Sequence, residues 1–102
     1  MDFVPKDSNM NEKQLETMFI NAVKKAGGKA YKFVSPTTAG MPDRLVIFPG
    51  GKVGFIELKA PGKKARPLQV HQLETLKGFG LYARVLDQPY DIQEVIHGIQ
   101  TS

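Results

Sequence analysis

Asp43, Glu57 and Lys59 are the residues whose types and spacing point to chemistry in this chain of 102 residues. Asp43 follows Pro42, and Glu57 stands two places before Lys59. Two converging carboxylates can hold a hard divalent cation such as Mg²⁺ or Mn²⁺, which takes carboxylate and carbonyl oxygens and retains part of its water shell. The peptide carbonyl of Leu58, between Glu57 and Lys59, offers a third oxygen. An ammonium beside such a cation orients or helps deprotonate a metal-bound water and offsets charge building on a phosphorus under attack. The combination suits phosphodiester hydrolysis. The plainer reading of the same residues is a surface ion pair of Glu57 with Lys59 or Lys52 on a half-solvated strand.

The elements around these residues have to bring them together. Residues 40–59 read as a β-hairpin, with an apolar run over 45–48, a Pro49-Gly50-Gly51-Lys52 turn and a second run over 53–58. Asp43 stands just before the first strand. Glu57 and Lys59 lie near the end of the second and point to one face. Both carboxylates therefore gather at one end of the sheet. A Pro-Asp followed at a tolerated spacing by Glu-x-Lys arises by chance in ~1% of chains this long, so its weight comes from both halves falling on strand ends joined by a tight turn.

Residues 1–10 read as a flexible leader and 11–102 as a single domain, with Ser8-Asn9 as the cap of the first helix. That helix is expected over 11–26, where Leu15, Met18, Phe19, Ala22 and Ala26 recur at helical spacing before Gly27-Gly28. Glu16 falls beside that stripe, with Ile20 and Val23 at i+4 and i+7, and so sits at the border between core and solvent. It is either a surface carboxylate suited to a helix N-terminus or a support for the site. Residues 29–34 suggest a strand, on which Lys32 is either an edge charge or a phosphate contact. A loop over 35–40 leads into Asp43, whose neighbour Arg44 either holds that carboxylate in place or binds a phosphate. After the hairpin, Ala60-Pro61-Gly62 ends the strand and Pro67 opens a helix to about Gly78. Gln69 precedes Leu73 by four residues and so points toward the sheet, where its amide needs partners. Those are the attacking water, Lys59 or a phosphate on one reading, and an ordinary buried group on the other. Residues 81–86 form a further strand, and Asp91 and Glu94 resemble a capping box before a short helix carrying Ile92, Val95, Ile96 and Ile99. His71 faces away from the proposed site, and His97 has no ligand partner. The order is α-β-β-β-α-β with a short C-terminal helix, an α/β fold with a mixed sheet flanked by helices. The aromatic residues fall mostly at core spacings, so no base-stacking surface is expected.

Net charge is +4 and the pI about 9.4, which favours a polyanionic partner. Lys59, Lys63, Lys64 and Arg66 follow one another without an intervening acid, directly after the proposed catalytic strand. They are either counterions for a phosphate backbone or a solvated basic loop. The expected DNA contacts are Lys32, Arg44, Lys52, Lys63, Lys64 and Arg66. The absence of cysteine excludes a disulfide framework and a thiolate zinc site. Neither a signal peptide nor a membrane span of ~18 apolar residues is visible, and the expectation is a cytoplasmic protein with no membrane partner.

Pro42-Asp43 and Glu57-Leu58-Lys59 resemble the PD-(D/E)XK nuclease signature. More narrowly, the helix with Glu16, Lys32-Phe33, Gly40-x-Pro42-Asp43-Arg44, Glu57-Leu58-Lys59-Ala60-Pro61-Gly62 and Pro67-Leu68-Gln69 resemble the virus-type replication-repair nuclease (VRR-NUC) family, over residues 16–87. The resemblance implies a restriction-endonuclease-like core and a stand-alone phage-type member acting in the host cytoplasm. It also implies an Mg²⁺- or Mn²⁺-dependent endonuclease of replication, recombination or repair that leaves a 5′-phosphate and a 3′-hydroxyl. Asp43, Glu57 and the Leu58 carbonyl would bind the metal, Lys59 would position the water, and Glu16 and Gln69 would support the cluster, Glu16 only indirectly. The implied substrate is branched DNA such as a Holliday junction, with a helicase or recombination protein as partner. One site cuts one strand, so paired cutting calls for a homodimer. The alternatives are a non-catalytic DNA-binding module and a restriction-type duplex nuclease, for which the chain is short on surface for groove readout.

Overall fold

The computed structural model describes residues 10–102. The leader up to residue 9, with the expected Ser8-Asn9 cap, lies outside the described residues. Met10, placed in that leader above, packs against the core. Helix α1 runs Glu12–Lys25 and is capped by Asn11. Asn11 Oδ1 accepts from the Gln14 N–H at 2.8 Å, and Gln14 Oε1 accepts from the Asn11 N–H at 2.9 Å. This reciprocal pair satisfies two N–H groups that the first turn leaves without helical partners. The buried stripe is Leu15, Phe19 and Val23, while Ala26 is exposed. The apolar face is thus rotated from the one expected, with Val23 rather than Ala26 completing the buried stripe.

The remaining elements are β1 Lys29–Lys32, β2 Arg44–Phe48, β3 Lys52–Leu58, α2 Pro67–Gly78, β4 Tyr82–Leu86, a 3₁₀ turn at Pro89–Asp91 and α3 Ile92–Gln100. The sheet order is β1-β2-β3-β4, antiparallel except for the β3–β4 pair, which is parallel across the α2 crossover. The expected mixed α/β architecture is therefore the one observed. β1 ends two residues short of its expected limit, although the Phe33 N–H still donates to the Asp43 carbonyl at 2.8 Å.

Strand alternation divides the side chains between two faces. Ala30, Val46, Phe48, Ile56, Leu58 and Leu86 form the core with α1 and α3. Close seating of α3 depends on Gly54 and Gly98. A Cβ on Gly54 would lie 2.6 Å from Ile99 Cγ1, and one on Gly98 would lie 2.4 Å from Tyr82 Cε2. Asp91 makes no side-chain cap for α3. The expected capping box is displaced by Arg84, whose Nη2 lies 3.8 Å from Asp91 and whose Nη1 lies 2.9 Å from Glu94. The opposite face carries Tyr31, Leu45, Phe55, Glu57 and Ala83, with α2 packed beside β4. No helix among the described residues is long and apolar enough to cross a membrane.

Candidate active site

The hairpin places the two acids. Gly50 and Gly51 take φ of +87° and +71°, a left-handed pair whose twist matches that of the flanking strands. The register this sets pairs Arg44 with Ile56. One step further along, Asp43 comes opposite Glu57 at the sheet end. Pro42 is fully buried, and Gly40 turns with φ +83° against the first turn of α2. A Cβ on Gly40 would lie 2.7 Å from Leu68 Cγ. The approach to Asp43 is thereby held between the sheet and α2.

Hydrogen bonds fix both carboxylates. The Leu58 N–H donates to Asp43 Oδ1 at 3.2 Å. Glu57 is only 4% exposed, and its Oε2 accepts from Gln69 Nε2 at 2.9 Å and lies 3.4 Å from Lys59 Nζ. Gln69 is itself buried, and its Oε1 accepts from the Arg66 N–H at 2.8 Å. One glutamine thus caps α2 and holds Glu57. The ion pair of Glu57 with Lys59 is real but buried, which removes the reading of a half-solvated surface pair.

Burial, and then the charge of Glu57, push the Asp43 carboxyl up to about 6; the Leu58 N–H opposes this, Glu12 adds to it and Arg44 counters it slightly. Glu57 is also raised, first by burial, with Lys59 pulling the other way and Glu12 again adding to the rise. Glu12, in the first turn of α1, is therefore a third acid at the site. The family resemblance points to Glu16 instead. Glu12 and Glu16 are four residues apart and share a helix face, so the acid content of that face was visible and which of the two lies at the sheet end was not.

Glu16 is taken by Arg44, with Oε2 3.3 Å from Nη2. Arg44 Nη1 donates to the Ala30 carbonyl at 3.5 Å, and Nε is buried without a partner. Arg44 neither grips the Asp43 carboxylate nor reaches out for a phosphate, because it alternates with Asp43 and lies on the α1 side of the sheet. Lys32 is exposed at the end of β1, on the face of Arg44. Lys63, Lys64 and Arg66 are exposed on the loop leaving the site. Lys52 is not brought there. It lies at the opposite end of β3, and its Nζ donates to the Ser102 carbonyl at 2.6 Å.

An open depression of about 670 Å³ between α1 and the Pro89–Ile92 region carries no carboxylate and is separate from this cluster. The chemistry-bearing arrangement is the sheet end, where Asp43 and Glu57 come opposite each other, Lys59 pairs with Glu57, and Glu12 adds its negative charge. Raised carboxyls pressed together around oxygen donors are a setting that a hard divalent cation relieves. Among the described residues no group of three or more His, Cys, Asp or Glu side chains is placed to hold a metal. The protein would contribute Asp43, Glu57 and the Leu58 carbonyl, with water filling the remaining positions.

No family model matches the chain. It is 41% identical over 90 residues to a phage protein named "Putative nuclease p44", from Acyrthosiphon pisum secondary endosymbiont phage 1, an alignment spanning 88% of this chain and 96% of that one. A solved structure described as a VRR_NUC domain superposes with a TM-score of 0.79 at 25% identity, covering 84% of this chain and 94% of that one.

Proposed function

Because the chain belongs to the VRR-NUC family of nucleases, we propose that it is a divalent-metal-dependent endonuclease hydrolysing phosphodiester bonds in branched DNA. The observation that carries this reading is the pair Asp43 and Glu57, opposed at the sheet end with Lys59 3.4 Å from Glu57. Asp43, Glu57 and the Leu58 carbonyl would hold Mg²⁺ or Mn²⁺. Such a cation, when bound, polarises the phosphoryl oxygen and acidifies a coordinated water. Gln69 keeps one Glu57 oxygen engaged and so orients the other. Lys59 donates to the attacking water or to a phosphoryl oxygen and offsets the charge that develops there. Glu12 takes the supporting place that the resemblance assigned to Glu16. Attack is in line on phosphorus and leaves a 5′-phosphate and a 3′-hydroxyl.

Lys63, Lys64 and Arg66, exposed beside the site, meet the phosphate backbone. Paired incision of a four-way junction uses a homodimer with two-fold symmetry, since each copy carries one site. The test is a panel of labelled four-way junction, flap, single strand and linear duplex in Mg²⁺, Mn²⁺ or EDTA. Cutting of branched DNA with either metal, lost in Asp43→Ala and Lys59→Ala with binding retained, is the expected result. Binding without cutting under both metals overturns it in favour of a non-catalytic module, and selective cutting of linear duplex in favour of a restriction-type enzyme. Light scattering showing a monomer at micromolar concentration removes the junction-resolving form.

A further inference from the structure

The sheet face that carries Glu57 is covered unevenly. α2 packs beside β4, where Leu73 and Ala83 are buried. Across β1 and β2 the same face leaves Tyr31 44% and Ile47 38% exposed. The registers set Tyr31 opposite Leu45 and Leu45 opposite Phe55. The next row on this face is Phe33, Asp43 and Glu57, one pleat repeat or about 7 Å further along the strands. Phe33 stands edge-on to Phe55, with centroids 5.5 Å apart at 81°. An aromatic surface is therefore contiguous with the carboxylates, although the aromatic residues fall mostly at core spacings and the sequence indicates no base-stacking surface.

We propose that Tyr31, backed by Phe33, is a stacking platform for an unpaired base beside the scissile phosphate, so that the site accepts a strand that has left its duplex. This rests on the nuclease reading above and narrows its substrate. A paired duplex presents phosphates and groove edges and keeps its base faces inside the stack. A ring exposed beside the site therefore gains contact only from an unstacked base. The charge around the platform selects the same occupant. Lys29 Nζ lies 4.8 Å from the centroid of the Tyr31 ring. Residues 26–42 and 58–73, which flank the platform and the site, contain no acidic residue. A base entering the ring face displaces the ammonium toward the phosphate of its own nucleotide. A second copy of the chain docked here would press this basic surface against itself.

The test compares affinity for a short oligothymidylate with affinity for an abasic strand of equal length, measured by fluorescence anisotropy in EDTA. The wild type and Tyr31→Phe should prefer the base-bearing strand by about tenfold, within the range that stacking of one base contributes. Tyr31→Leu, apolar but without a ring, should lose that preference while binding the abasic strand and a duplex as before. If Tyr31→Leu keeps the preference, the platform is refuted. If it instead lowers the mass found by light scattering, the surface is an interface between copies and the proposal is equally refuted. Binding in EDTA does not depend on catalysis, so failure of the nuclease reading would appear separately, as a wild-type protein that cuts nothing in Mg²⁺ or Mn²⁺.

Discussion

Asp43→Asn should stabilise the metal-free protein at neutral pH while ending cleavage. Burial and the neighbouring Glu57 charge hold the Asp43 carboxyl at about 6, against an ordinary value of 3.8. Between those values the unfolded chain has released its proton and the folded chain still holds one, so stability falls as pH rises through this window and the loss is complete above about 6. A shift of about two units at 1.36 kcal/mol each gives an upper limit of roughly 3 kcal/mol. Asp43 is only half-buried, and solvent screening reduces the expected gain to about 1–2 kcal/mol. Asparagine is nearly isosteric and keeps an oxygen for the Leu58 N–H, now bonded to Asp43 at 3.2 Å. Since each kcal/mol moves the Tm of a domain this small by about 4–8 °C, the variant should melt roughly 5–12 °C above wild type in EDTA near pH 7.5. Near pH 4 most of that difference should have vanished. If Asp43 and Glu57 form the proposed metal site, added Mg²⁺ should raise the wild-type Tm and leave that of Asp43→Asn unchanged. No gain near pH 7.5, or an undiminished gain near pH 4, would refute the argument that two crowded carboxyls cost the fold stability.

Replacing Gln69 with Leu removes the hydrogen bonds to Glu57 and to the Arg66 N–H; about 2–3 kcal/mol should be lost in urea unfolding, with cleavage falling alongside. Gly40→Ala combines a φ of +83° with a 2.7 Å approach to Leu68. It should cost about 1–2 kcal/mol from the dihedral alone and reduce cleavage while circular dichroism still shows the same helix content. Glu12→Gln removes a like charge from the site, so the Asp43 carboxyl should titrate lower by NMR, whereas Glu16→Gln should leave it unmoved. Lys63→Ala and Lys64→Ala should each reduce the salt slope of DNA binding by about one, and Lys52→Ala should not change it.

The hairpin was legible because its evidence is local. A Pro-Gly-Gly turn between alternating runs sets the register, and the register alone opposes Asp43 and Glu57. Gln69 was legible for a similar reason, since its place on α2 relative to Leu73 turned its amide toward the sheet. What the chain concealed were choices made by tertiary packing. Two stripes of α1, one through Leu15, Phe19 and Val23 and one through Met18, Ala22 and Ala26, have nearly equal claims by spacing, and the sheet decides between them. Glu12 and Glu16 share a face, so the choice between them rests on how far along α1 the sheet end falls: Glu12 is in the first turn and Glu16 one turn on, where Arg44 takes it. Arg44 and Lys52 are different, because their signals were present. Arg44 shares the parity of the buried Val46 and Phe48, which places it on the core side. Five residues at about 3.4 Å each put Lys52 some ~17 Å along β3 from Glu57, beyond reach of the same phosphate. The exposure of Tyr31 is not legible in the chain because spacing says which residues share a face, not how much of that face a helix will cover.

Opposition across a hairpin also governs how the signature can drift among kindred chains. Extending both arms by one residue adds two to the interval between the aspartate and the glutamate and leaves them face to face, while the turn moves outward into solvent. A lone insertion in either arm swings the glutamate to the other side of the sheet. Intervals in relatives should therefore differ by even steps wherever the turn is kept, and an odd step should announce a bulge or an altered turn.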